Sequence, residues 1–220
     1  MEEWIPIAKQ NFDWITFVFM LNFLLIVFIK LRHELQFFSF LRLIDTVTYF
    51  NSYTEKYGVF NGFISISMLF SSLTLSMFSV YFLQHFFEVS LDFSLFMLVF
   101  IGLLATILLR SFFIQFVASV LGINEFIRSF QFRNCTYIFR LCIFLNTGLV
   151  FYHFGLSQSF LVFKFLFVSG LIAYVASQAM VIRQLFSSIN SEGLYFILYL
   201  CTLKMSPWIL LYHGIKRLYE

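Results

Sequence analysis

Charged residues are scarce in this chain, and their scarcity excludes an ordinary water-soluble fold. Asp, Glu, Lys and Arg make up only 11% of its 220 residues, while hydrophobic residues make up 61%. Soluble globular domains carry about 25% charged and roughly 45–50% apolar residues. This composition cannot cover a surface that faces water, so the predicted solvent is the lipid bilayer. The net charge of +3 is too small to predict nucleic acid as a partner.

Proline, cysteine and catalytic motifs are also sparse. Two Pro residues leave room for long uninterrupted helices, and the three Cys residues follow no disulfide or metal-binding spacing. The sequence has no phosphate-binding loop, no Gly-x-Ser-x-Gly elbow and no His-Glu-x-x-His pair. It also shows no nucleophile paired with a base. We therefore expect neither an enzyme nor a bound cofactor.

Long apolar runs, by contrast, follow one another along the chain. They are far longer than strands and do not alternate, and about 20 residues suffice for a transmembrane helix. We predict an all-α integral membrane protein, a single domain over residues 1–220 built as a bundle of about six transmembrane helices. The predicted spans are residues 14–29, 62–83, 93–109, 136–152, 161–182 and 194–215.

Two of the remaining segments are apolar but carry polar residues at helical spacing. Residues 35–50 include Arg42 and Asp45 and are predicted as an amphipathic helix on the membrane surface. Residues 110–135 are interpreted as a second surface helix, a long extension of the third span, or a re-entrant segment. The first two interpretations are favoured.

Basic residues are concentrated on one side of the predicted spans. The positive-inside rule places such loops in the cytoplasm, so both termini are predicted outside, although the basic pair near the C-terminus leaves the side of that end open. Eight basic residues lie on the cytoplasmic side and three on the other: Lys30, Arg32, Arg42, Lys56, Arg110, Arg128, Arg133 and Arg183 against Lys9, Lys216 and Arg217.

Small residues share one face in each of two spans. Such faces let membrane helices approach closely, and they favour packing within the bundle or, alternatively, an interface with a partner subunit. The second span carries Gly62, Ser65, Ser72, Ser76 and Ser79, and the fifth carries Ser169, Ala173 and Ser177 beside Gly170.

Lys204 is the most informative single residue, because it lies near the middle of the sixth predicted span. A lysine there costs roughly 2.5–3.5 kcal/mol on insertion scales. Pro207 frees the carbonyl of Leu203 as a hydrogen-bond acceptor, and Asn22 and Asn146 lie at a similar predicted depth. Arg140 lies nearer the cytoplasmic side. These residues predict a structural polar cluster, a contact with another subunit, or a site for an anionic or polar ligand.

A second group of polar residues lies on the predicted outer side. His85, Glu88 and Asp92 are three and four residues apart, and His153 lies on the same side. Imidazole and carboxylate together suit zinc or iron, but the spacing matches no known metal motif. We predict a solvated polar cap without a metal ion, with metal binding by these four residues as the alternative.

The start of the sixth span carries a resemblance to a known family. The run Ser-Glu-Gly-Leu-Tyr-Phe-Ile-Leu-Tyr-Leu-Cys-Thr-Leu, residues 191–203, resembles the C-terminal signature of a Bacteroidota family of inner-membrane proteins of unknown function. In that family an acidic residue follows the Thr-Leu pair and a proline comes shortly after. This chain keeps Pro207 but has Lys204 at the acidic position. The resemblance implies a helical fold in the bacterial inner membrane, and it implies no activity.

Together these features predict a non-enzymatic, multi-pass inner-membrane protein. The leading hypothesis is an accessory subunit of a membrane assembly in envelope biogenesis or protein export, with lipid and another membrane protein as partners. One alternative is a transporter or binder of a small anionic or lipid-like ligand. The other is an intramembrane enzyme, which would require His85, Glu88, Asp92 and His153 to converge.

Overall fold

Helices account for the regular secondary structure of the part of the chain that is described. The computed structural model describes residues 13–34, 37, 62–87, 89–121, 124–155 and 159–186, and these residues contain no strand. In chain order the helices are α1 (Asp13–Arg32), α2 (Gly62–Phe87), α3 (Phe93–Leu121), α4 (Asn124–Val150), a π-helical turn that continues α4 (Phe151–Gly155), and α5 (Phe160–Phe186).

Five of these helical stretches are long and apolar enough to cross a membrane: Asp13–Arg32, Gly62–Phe87, Phe93–Phe116, Phe130–Gly155 and Phe160–Val181. They confirm the positions of the first five predicted spans. The sixth predicted span and the surface helix predicted over 35–50 lie outside the described residues, apart from Phe37. The count of about six therefore stays a prediction.

The chain divides into two compact units, Met1–Gln178 and Ala179–Glu220, with the boundary inside α5. Most of the second unit lies outside the described residues, so the packing described below belongs to the first. The prediction of a single domain over the whole chain stays a prediction.

The region between the third and fourth spans is helical from both sides. α3 continues to Leu121 and α4 begins at Asn124, so the extension of the third span is the better of the two favoured interpretations. The predicted spans were too short because Arg110 and Arg133 interrupt the apolar runs. Backbone hydrogen bonds within a helix do not depend on side-chain polarity, so the helices continue past them.

α2 is the central helix of the first unit. It packs against α1, α3 and α4, and 61% of its span is buried. Ser72 and Ser76, from the predicted small-residue face, are among its buried residues, and each donates its hydroxyl hydrogen bond to a carbonyl three residues earlier. Their small, internally bonded side chains allow neighbouring helices to approach, which supports packing within the bundle for this part of the face. Gly62 and Ser65 of the same predicted face are exposed.

Aromatic contacts fix the relative directions of the helices. Phe63 and Phe70 of α2 meet Phe139 of α4 edge to face, and Tyr81 meets Tyr152 further along both helices. α2 and α4 are therefore parallel. α1 runs antiparallel to them, because its C-terminal His33 lies against Phe63 and its Phe19 lies against His153.

The contacts of α1 define the two ends of the bundle. His33 packs on Phe63 at one end, which we call the His33 end. Phe19 packs on His153 at the other, which we call the Tyr/His end. The tyrosine and histidine side chains of α2 and α4 are therefore brought together at one end of the bundle.

Two glycines make room for leucine side chains where α4 and α5 touch. A Cβ added at Gly148 would overlap the side chain of Leu166, and one at Gly170 would lie 2.9 Å from Leu145 Cδ2. Each helix thus supplies a glycine against a leucine of the other. Gly170 lies beside the small-residue face predicted for the fifth span, and here it contacts Leu145 of α4.

Candidate functional site

Two tyrosine–histidine pairs connect α2 and α4 at the Tyr/His end. The Tyr81 hydroxyl lies 2.8 Å from His153 Nδ1, and the Tyr152 hydroxyl lies 2.5 Å from His85 Nε2. The two tyrosine rings also contact each other edge to face, with centroids 5.6 Å apart. Both tyrosines are buried, while both histidines are partly exposed. We call these four residues the Tyr/His cluster.

Phenylalanine rings surround the Tyr/His cluster. His85 packs on Phe163 of α5, with ring centroids 4.8 Å apart, and His153 packs on Phe19 and Phe154. Hydrogen bonds are electrostatically stronger in such apolar surroundings, and leaving a partner unpaired is correspondingly costly. The aromatic shell therefore favours keeping both pairs intact.

The π-helical turn explains how two consecutive residues, Tyr152 and His153, can each bond a side chain of α2. Tyr152 and His153 are consecutive, yet both reach α2, at residues one helical turn apart. In a π-helix the backbone bonds run from residue i to i+5, so the turn is wider than in an α-helix, and such turns are frequent at functional sites. The wide turn Phe151–Gly155 thus presents both side chains to the same neighbour.

A third polar contact lies deeper in the bundle. Asn22 Nδ2 of α1 donates a 3.2 Å hydrogen bond to Asn146 Oδ1 of α4, and both side chains are buried. The sequence placed both asparagines at a similar depth, and the structure pairs them with each other. Asn22 Oδ1 is buried and has no hydrogen-bond partner among the described residues.

The other predicted members of the midplane group do not join this pair. Arg140 belongs to α4, but its side chain is exposed, so it does not contribute to the buried contact. Lys204 and Pro207 lie outside the described residues, and their predicted roles stay predictions.

The candidate metal ligands that the structure describes each bond a different residue. His85 and His153 each bond a tyrosine, and Asp92 Oδ2 accepts a hydrogen bond from Ser90. Glu88 lies outside the described residues. Within the described ranges, no group of three or more His, Cys, Asp or Glu side chains is arranged to hold a metal ion.

The two tyrosines that complete the cluster were not among the predicted site residues. One signal was present, because Tyr81 and His85 are four residues apart and therefore share a helix face. The partners on α4 are 72 and 67 residues away in sequence, and no local pattern connects them. Lys164, which also had no predicted role, lies exposed one turn into α5.

The Tyr/His cluster is chemically capable of two tasks. A phenol can donate and accept hydrogen bonds, and a neutral imidazole has one nitrogen of each kind. The pairs can therefore hold α2 and α4 together, as interhelical hydrogen bonds do in membranes. They can also pass a proton between ring nitrogen and hydroxyl, as histidines do in proton pathways.

The chain was compared with family models, curated proteins and solved structures. The family model described as Domain of unknown function (DUF4271) matches residues 15–215, which include every helix described above except the first two residues of α1. Neither the curated proteins nor the solved structures gave a match. A match over so much of the sequence shows the family: the chain belongs to the DUF4271 family, a domain of unknown function.

Proposed function

We propose that this chain is a non-enzymatic, multi-pass protein of the bacterial inner membrane, within a family confined to Bacteroidota. In this proposal it serves as an accessory subunit of a membrane assembly in envelope biogenesis or protein export. The observation that carries the proposal is a set of three hydrogen-bonded pairs of polar side chains between helices. Asn22 bonds Asn146, and the Tyr/His cluster forms two further pairs.

The pairing supports a structural role because each bond joins two different helices. Interhelical hydrogen bonds in membrane proteins contribute about 0.6 kcal/mol on average, and a polar side chain without a partner is costly in lipid. Side chains paired in this way stabilise the bundle. Its outer surface then remains for contacts with lipid or with another protein. That surface carries large exposed apolar residues such as Leu98, Phe112 and Leu161, suited to lipid or to another membrane protein.

The test is purification of the full chain, tagged and expressed at its normal level, in a mild detergent. We expect one membrane protein to co-purify at a fixed ratio through two successive columns. Lys204→Met should weaken that association while the chain stays folded. Isolation of the chain alone, from cells in which it is functional, would contradict the subunit role.

A second candidate function is favoured by the Tyr/His cluster itself. Partly exposed imidazoles beside buried phenols suit a binder or transporter of a small anionic or lipid-like ligand. Native mass spectrometry of the purified chain would detect a bound ligand, and His153→Gln should reduce its occupancy. Tyr174→Phe, at an exposed tyrosine of α5, is the matched control. Equal occupancy in all three proteins would remove the cluster from ligand binding.

A further inference from the structure

Arg140 occupies an unusual position in α4. It lies ten residues after Phe130, where the candidate span Phe130–Gly155 begins. At 1.5 Å per residue it is about 15 Å along the span, well inside the apolar layer. Its side chain is nevertheless exposed, so it points away from the core that α2 and α4 share.

Neither the described helices nor the predicted spans supply a carboxylate at the depth of Arg140. Of all the observed and predicted spans, only α1 contains an acidic residue, Asp13 at its first position. Asp13 is adjacent to Trp14, which packs on Phe93 and Phe96 where α3 begins, so it lies beyond the Tyr/His end. A second copy of the chain would bring another arginine to the same depth. The guanidinium is therefore left without an acidic partner among the described residues and the predicted spans.

The residues around Arg140 form a continuous exposed face. Phe144, Thr147 and Phe151 follow it at intervals of four, three and four residues, and all are exposed. Side chains at this spacing lie one above another on a helix, and the same spacing forms the contact line between two packed helices. We call these four residues the Arg140 face.

From this geometry we propose that the Arg140 face docks a transmembrane helix of another protein, and that this helix carries an Asp or Glu at the depth of Arg140. The proposal rests on the proposed subunit function and names the chemistry of its partner. The guanidinium fork matches a carboxylate through two parallel hydrogen bonds. The two phenylalanines and the threonine supply the apolar contact on one side of that pair.

The rival occupant is a lipid. A long arginine side chain can extend along its helix until its charge reaches the headgroups, where a phosphate would replace the carboxylate. A lipid requires no protein contact at Phe144, which lies one turn further into the span than Arg140. Contact at Phe144 therefore separates the two occupants.

The experiment places a photo-crosslinking phenylalanine analogue at position 144 of the full chain in living cells. Position 113, an exposed phenylalanine of α3, is the matched control. We expect a protein adduct at 144 and not at 113. Mass spectrometry should place it within one helical turn of an Asp or Glu in an apolar helix of another protein. Adducts to lipid alone, or to a helix without an acidic residue, would overturn the proposal.

Charge exchange then tests the pair directly. Arg140→Glu should reduce the crosslinking yield at least tenfold, and replacing the partner's acidic residue with Arg should restore it. Arg140→Leu controls for folding, because the isolated chain should remain folded without the charge. If 144 gives only lipid adducts while the chain still co-purifies with a membrane protein, the proposed subunit function stands and the Arg140 face does not.

Discussion

α2 and α3 are neighbouring helices of similar length, yet α2 is mostly buried in the bundle and α3 is mostly exposed on its outside. In α2, 61% of the span is buried, against 6% in α3. α2 contains seven Ser and Thr residues, five of them buried, whereas the span of α3 is dominated by Leu, Phe and Ile and has the higher mean hydropathy. The less apolar helix therefore occupies the centre of the bundle.

The comparison shows how polarity sorts helices when lipid is the outer medium. A hydroxyl within a helix can bond the carbonyl of the preceding turn, as Ser67 and Thr74 do in α2. Such small side chains permit close packing, while large apolar side chains are best suited to lipid. α4, the other helix rich in polar residues, is likewise half buried, at 50%.

The largest expected effect comes from filling the space around α2. Ser76 is fully buried, so Ser76→Leu should overpack the core and lower the free energy of unfolding by about 1–3 kcal/mol. Thr106→Leu, at an exposed position of α3, should change it by less than about 0.5 kcal/mol. Unfolding of both variants in mixed detergent micelles measures the difference, and equal losses would contradict the assignment of α2 to the centre.

Glycine substitutions sharpen the same contrast. Gly102 of α3 faces open space, whereas a Cβ at Gly148 would meet Leu166. Gly102→Ala should stabilise the chain by roughly 0.5–1 kcal/mol, because alanine loses less backbone entropy in a helix. Gly148→Ala should gain nothing or lose about 1 kcal/mol, because Leu166 must move. Thermal unfolding in one detergent checks both, and a stabilising Gly148→Ala would argue against the contact between Gly148 and Leu166.

The third effect concerns the Tyr/His cluster. Tyr81→Phe removes the hydroxyl that bonds His153 and leaves the ring packing in place. We expect a loss of about 1 kcal/mol in unfolding free energy, the typical net value of one hydrogen bond. Tyr174→Phe is the exposed control and should be neutral. If the two variants are equally stable in denaturant titration, the pair does not hold α2 and α4 together.

The fourth and smallest effect is a dependence on pH at the His33 end. Burial, and then the charge of Arg32, lower the pKa of His33 from its ordinary value of 6.5. The unfolded chain therefore binds this proton first as the pH falls. Protonation of His33 therefore does not lower the free energy of unfolding above about pH 6.5. Below that, the free energy of unfolding declines as the pH drops toward the folded pKa. His33→Gln should flatten this part of the stability profile, and an unchanged profile would show that His33 is not responsible.

The positions of the helices were readable from the sequence, and the polar contacts largely were not. Apolar runs located the first five spans because length and hydropathy are local properties. Asn22 and Asn146 were matched in depth, because depth follows from counting residues along each span. The rotation of each helix is set by packing, so the exposure of Arg140 could not be read from hydropathy. The π-helical turn that directs Tyr152 and His153 toward α2 also left no recognised pattern.

The most direct test of the central claim is a double-mutant cycle on Asn22 and Asn146. The claim is that the three polar pairs, Asn22–Asn146 and the two of the Tyr/His cluster, join helices to each other. Each single change to Leu should destabilise the chain, because it leaves the other amide unpaired, and the double variant should recover part of the loss. We predict a coupling energy between about 0.6 and 1.7 kcal/mol. Losses that simply add, with no coupling, would contradict the claim.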